Sequence, residues 1–85
     1  MKNKDILKKQ ILYRSMHRGT KEMDLLLGNF VSKYINSFSE IELKDLKLLM
    51  EIDDEVLHSW YFNNVKSNII PNNQITKKLK NFKLS

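Results

Sequence analysis

The residues with which this chain could do chemistry are few. It has two histidines, ten carboxylates and no cysteine, so disulfides and thiolate metal sites are excluded outright. His17 and His58 stand 41 positions apart. No pair of carboxylates shows metal-ligand spacing with either, and His-Glu-x-x-His, Cys-x-x-Cys and EF-hand patterns are absent. No Gly-x-Ser-x-Gly elbow presents a nucleophile. Neither a phosphate loop nor Gly-x-Gly-x-x-Gly offers a nucleotide cradle. The sequence carries no catalytic machinery of its own.

What it does carry is a dense polar stretch, His17-Arg18-Gly19-Thr20-Lys21-Glu22-Met23-Asp24, which holds one of the two glycines in the chain. Two readings of it stand side by side. Gly19 as a helix stop in the left-handed conformation, Thr20 as a cap and Glu22 as complement to the helix dipole account for three positions without any function. They do not account for Arg14, His17, Arg18 and Lys21 converging on one turn with Glu22 and Asp24. Mixed charge around an exposed glycine, where backbone can approach a partner closely, suits a protein docking surface.

The elements that position this stretch follow from apolar spacing. Ile6, Leu7, Ile11, Leu12 and Met16 with intervening lysines predict an amphipathic helix from Asp5 to His17. Met23, Leu26, Leu27, Phe30, Val31 and Tyr34 recur at three and four residues, the clearest helical stripe, with Leu25 off it. Gly28 within the stripe predicts a close helix–helix contact. Ile35–Phe38 reads as a connector. Ser39 and Glu42 form a capping box for a third helix that buries Leu43, Leu46, Leu49 and Met50. Asp53 would cap a fourth helix burying Val56, Leu57, Trp60 and Tyr61. After an Asn-rich break, Pro71-Asn72-Asn73 starts a last helix through Ile75, Leu79 and Phe82. No stretch alternates with period two. The prediction is one all-α, five-helix, antiparallel bundle-like domain over residues 1–85, with 1–4 and 83–85 frayed.

Size and charge narrow the function. Eighty-five residues bury only about 60–65% of their unfolded surface, which leaves little room for an enclosed enzyme cavity. The longest apolar run, Leu25-Leu26-Leu27, is far from the roughly 20 residues that span a bilayer, and no signal-peptide core is present. The expectation is a cytoplasmic protein without membrane insertion. Net charge is +5 but bipolar. Residues 1–21 carry seven basic side chains against Asp5, residues 22–60 three lysines against nine carboxylates, and residues 61–85 five lysines and no acid. A sequence pI near 9.5 invites an alternative, a small basic helical nucleic-acid-binding protein using Lys8, Lys9, Arg14, Arg18 and Lys21 on phosphates. The acidic middle and the presence of only two arginines argue against it.

The stretch from Leu12 to Gly28 closely resembles the signature region of the SdhE family, the small assembly factors (flavinators) of succinate dehydrogenase. The hallmark Arg-Gly-x-x-Glu is Arg18, Gly19 and Glu22. Phe30, Tyr34, the Ser39–Glu42 start and Asp53-Asp54-x-x-Leu57-x-x-Trp60 match further. The similarity runs from about Leu12 to Trp60, and beyond Trp60 the chain diverges. Met16 stands where relatives often carry an aromatic or basic residue. The resemblance implies a non-catalytic factor with a five-helix fold that promotes covalent attachment of FAD to a histidine of the flavoprotein subunit, and bacterial relatives can also act on fumarate reductase. Carried over by position, Arg18, Gly19 and Glu22 would dock on that subunit, flanked by Arg14, His17, Lys21 and Asp24. FAD would belong to the client, the factor itself holding none stably and acting as a monomer.

Overall fold

Five helices, α1 (Asn3–Met16), α2 (Lys21–Tyr34), α3 (Glu40–Met50), α4 (Asp54–Phe62) and α5 (Gln74–Asn81), make up a computed structural model that describes residues 3–83. No strand occurs among the described residues, as the absence of period-two alternation requires. Of the ends expected to fray, residues 1–2 and 84–85 lie outside the described residues, while Asn3 and Lys4 belong to α1.

The core is built mainly by α2 and α3. Met23, Leu26, Leu27, Phe30 and Val31 of α2, and Leu43, Leu46, Leu49 and Met50 of α3, are buried, as their spacing predicts. Leu25, off the stripe, is half exposed. α1 packs against both helices but reaches the core completely only through Ile11 and Ser15. Leu7 and Leu12 are half-buried, and Ile6 and Met16 stay exposed. The buried Ser15 hydroxyl donates to Leu12 O at 2.8 Å, which satisfies it within its own helix.

Helix ends are fixed by side chains. Thr20 Oγ1 accepts from Met23 N–H at 3.3 Å and starts α2. Ser39 Oγ accepts from Glu42 N–H at 3.2 Å while the Glu42 carboxylate accepts from Ser39 N–H at 2.9 Å. The Ser39 backbone N–H, and after it the hydroxyl, holds the Glu42 carboxyl below its ordinary range. The box therefore contributes stability above the ordinary glutamate range and loses it as pH falls through the lowered folded value. Asp53 occupies the N-cap position of α4 as expected, yet its side chain makes no cap hydrogen bond. Thermal unfolding at neutral pH should separate the two: Ser39→Ala costs about 1 kcal/mol, whereas Asp53→Ala changes stability by less than about 0.5 kcal/mol.

Two expectations about packing need correction. Only Leu57 of α4 is buried; Val56, Trp60 and Tyr61 pack against the core but keep part of their surface in water. α4 lies against the other helices sparsely, so only one edge of its apolar face is covered. Gly28 does lie against the last turn of α1, but a Cβ there would meet Met16 Cγ and Ser15 O at 3.8 Å, ordinary contact distances. Gly28→Ala should accordingly raise stability by about 0.5–1 kcal/mol, read as a Tm increase of several degrees.

α4 ends at Phe62, and two residues on Asn64 has a φ of 56°, a conformation asparagine tolerates better than most residues. α5 then starts on an Asn73–Thr76 capping box and buries Ile75 and Leu79. Phe82 closes the chain edge-on against Phe30 and Tyr34, ring centroids 5.4 and 6.1 Å away. The Tyr61 hydroxyl donates to Phe82 O, and burial pushes its pKa up. No helix among the described residues is long and apolar enough to cross a membrane.

Candidate docking surface

The turn between α1 and α2 is tied to the junction between α3 and α4 by one side chain, Arg18. Its guanidinium reaches Asp54 Oδ1 through Nε at 2.7 Å and through Nη2 at 2.6 Å. Nη1 donates to Met50 O at 2.5 Å and Nη2 to Ile52 O at 2.8 Å. Met50 ends α3 and Ile52 lies two residues past it, so Arg18 supplies donors and positive charge to a last-turn carbonyl of the helix and to one just beyond it. Asp54 sits in the first turn of α4, where the dipole favours a carboxylate. The two side chains are only 8% and 17% exposed, so this is a largely desolvated, fully hydrogen-bonded pair.

The backbone of the turn is held as tightly. Arg18 N–H donates to Asp24 Oδ1 at 2.5 Å, and Gly19 N–H donates to Asp54 Oδ2. Gly19 does not have positive φ, so the expected left-handed helix stop is not the reason for glycine. The reason is space: a Cβ at Gly19 would lie 2.9 Å from Asp54 Oδ2. That carboxylate is pinned to Arg18 through its other oxygen and cannot simply swing away. Glycine is required by the close approach of a carboxylate to the backbone, not by a turn conformation.

The remaining predicted residues divide between inside and outside. Arg18 turns inward, and Asp24 is half-buried beneath the turn. Arg14, His17, Gly19, Lys21 and Glu22 are exposed. His17 stacks on Tyr13 at 4.1 Å between ring centroids, and its Nδ1 lies 2.8 Å from Tyr13 O. A carbonyl only accepts, so Nδ1 carries the proton and Nε2 faces away from that bond. Glu22 pairs with His58 Nε2 at 2.9 Å, with side-chain exposures of 68% and 37%. Two shallow depressions flank Gly19. One, of about 300 Å³, is lined by Arg14, His17, Met50, Glu51 and Asp53; the other, of about 390 Å³, by Thr20, Glu55, His58 and Ser59. Asp54 borders both.

Sequence reasoning missed Asp54 and His58 as parts of this surface. Both lie 36 residues from their partners, and no local spacing signals such a pairing. Asp54 is legible as part of the Asp53-Asp54-x-x-Leu57-x-x-Trp60 match, but not as the partner of Arg18. Glu51, Asp53 and Asp54 line the depression beside Arg14, His17 and Arg18, so its charges are of both signs. No group of three histidine or acidic side chains suited to a metal occurs among the described residues.

Residues 9–83 match the family model described as flavinator of succinate dehydrogenase. The chain belongs to that family. The match extends well past Trp60, so the divergence expected beyond that residue does not remove α5 from the flavinator fold. The chain is 35% identical to the mitochondrial succinate dehydrogenase assembly factor 2 of Candida glabrata, over 94% of its own length and 56% of the relative's. It is 41% identical to the protein of the same name from Dictyostelium discoideum, over 64% of the chain and 38% of the relative. To the FAD assembly factor SdhE of Acetobacter pasteurianus it is 34% identical, over 65% of the chain and 50% of that protein. The chain thus spans about half the length of the curated relatives it matches. All three are named as assembly factors, in agreement with the expectation of a non-enzymatic role. No solved structure matches the chain.

Proposed function

We propose that this protein promotes covalent attachment of FAD to the flavoprotein subunit of succinate dehydrogenase, with fumarate reductase as a second client, by docking through the surface around Gly19. The observation that carries the reading is the flavinator match over residues 9–83. The geometry supports it. Arg18 and Asp54 make the turn rigid from beneath, while Gly19, Lys21, Glu22, His17 and Arg14 stand on its outer side. Such a surface offers backbone at close range and charges of both signs without spending binding energy on ordering a loop.

In this reading the client's own residues form the flavin bond, and the factor holds the client in a competent arrangement. The protein acts as a monomer in the cytoplasm, takes no nucleic acid as partner and retains no FAD. Mitochondrial relatives such as that of Candida glabrata would perform the step in their own compartment.

The test is covalent flavin on the dehydrogenase subunit, read by in-gel fluorescence after denaturation. Deletion of the gene, in a strain in which no second factor compensates, should remove most of the signal, and the plasmid-borne wild type should restore it. Undiminished covalent flavin in that deletion would overturn the proposal.

A further inference from the structure

Away from the turn, Trp60 of α4, residues 66–72 and α5 line a further concave site. It has a volume of about 450 Å³, and its lining includes Trp60, Lys66, Ser67, Asn68, Asn72, Lys77 and Lys80. Its lining contains no carboxylate, and none is near in sequence, since residues 61–85 hold five lysines and no acid. Among the described residues, none of the three lysines lies within ion-pair distance of an acidic side chain.

Lys80 is fixed in this basin. Its ammonium donates to Trp60 O and to Tyr61 O (3.3 Å) and lies 4.8 Å from the centroid of the Trp60 ring. Three ammonium protons leave one unspent beyond these two bonds. Burial, and secondarily Lys83, lowers the Lys80 pKa. Ser67 Oγ accepts from Ile69 N–H at 3.2 Å, which leaves its own hydrogen free to donate. Thr76 lines the basin too, but its hydroxyl is engaged by Asn73.

We infer that this basin is a binding site for a phosphate-bearing ligand, held by Lys66, Lys77 and Lys80, with the ligand's remaining part against Trp60, Ile70 and Pro71. Phosphate is favoured over carboxylate by the donors themselves. There is no arginine fork for planar, bidentate carboxylate recognition; there are point-charge ammonium groups with hydroxyl and amide donors around a hollow, which suit an oxyanion with several acceptor oxygens. The inference is independent of the docking reading, since it uses neither Arg18, Gly19 nor Glu22.

The chain has a single tryptophan, and it lines the basin, so its fluorescence reports directly. The purified full chain is titrated at constant ionic strength with sodium pyrophosphate, with ADP, and with vesicles of phosphatidylglycerol against vesicles of phosphatidylcholine. A saturable change with pyrophosphate or ADP supports a free phosphate ligand, and a change with phosphatidylglycerol alone assigns the same chemistry to a lipid headgroup. Lys66→Gln/Lys77→Gln should weaken the response on the order of tenfold while leaving Tm unchanged, because both side chains are exposed. Lys80 is kept, since it also closes the end of α4. No saturable response to any of the probes, a response matched by sodium chloride, or an undiminished response in the double variant would overturn the inference.

Discussion

Arg18→Ala lowers the stability of the domain by about 3–5 kcal/mol and Tm by more than about 10 °C. The change strands three acceptors at once. Asp54, 17% exposed, keeps its charge without the guanidinium, and Met50 O and Ile52 O lose their donors. In an 85-residue domain this is a large part of the total. Arg18→Lys should recover only a fraction, because a single ammonium cannot span Asp54, Met50 O and Ile52 O in the way a planar fork does. Thermal unfolding followed by circular dichroism checks both variants. A Tm for Arg18→Ala within about 3 °C of wild type would mean that water replaces the guanidinium at little cost, and that the clamp does not hold the turn.

The second large effect falls on docking and separates two neighbours in the same motif. Glu22 is exposed and its one partner is the half-exposed His58, so Glu22→Ala should leave Tm within about 2 °C. Gly19→Arg should do two things. Its Cβ intrudes on Asp54 Oδ2 at 2.9 Å, which strains the clamp and costs stability, and its long side chain covers the backbone a partner would approach. Capture of the flavoprotein subunit by the tagged variant is expected to fall by at least about tenfold for Gly19→Arg, or 1.4 kcal/mol, with covalent flavin falling in parallel. Glu22→Ala should lower both with the fold intact. Wild-type capture by folded Gly19→Arg would remove the turn from the docking surface, whatever the family relation.

Much of the fold was readable because it is local. The stripe from Met23 to Val31, the Ser39–Glu42 box and the Asn73 start of α5 each depend on residues within a few positions of one another, and each stands as expected. The candidate site was readable in its position but not in its wiring. The motif alone places Arg18 and Gly19 at the surface for a partner and gives Gly19 a left-handed turn. The structure instead turns the arginine inward and requires glycine for the passage of Asp54. Two sequence elements that resembled family motifs separately, Arg18-Gly19-x-x-Glu22 and Asp53-Asp54-x-x-Leu57-x-x-Trp60, are thus one physical unit. It is closed by an ion pair and by the Glu22–His58 contact. Nothing in the spacing of either element encodes that pairing, which exists only once α3 has returned the chain to the turn. The half-buried face of α4 was misjudged for a related reason: periodicity tells which residues share a face, not whether another helix covers it.

The last helix has a consequence of its own for how the molecule breathes. Eight residues are too few for a helix to persist in water unaided. α5 is kept by Ile75 and Leu79 in the core, by Phe82 against Phe30 and Tyr34, and by the Lys80 and Tyr61 bonds that lace it to α4. It is therefore a cooperative unit that can detach while α1–α3 stay folded, and its amides should exchange with solvent sooner than those of α2 and α3. Since Thr76, Lys77 and Lys80 of that unit form one wall of the lysine basin, any ligand seated there would act as a brace, slowing amide exchange in α5 more than anywhere else in the chain.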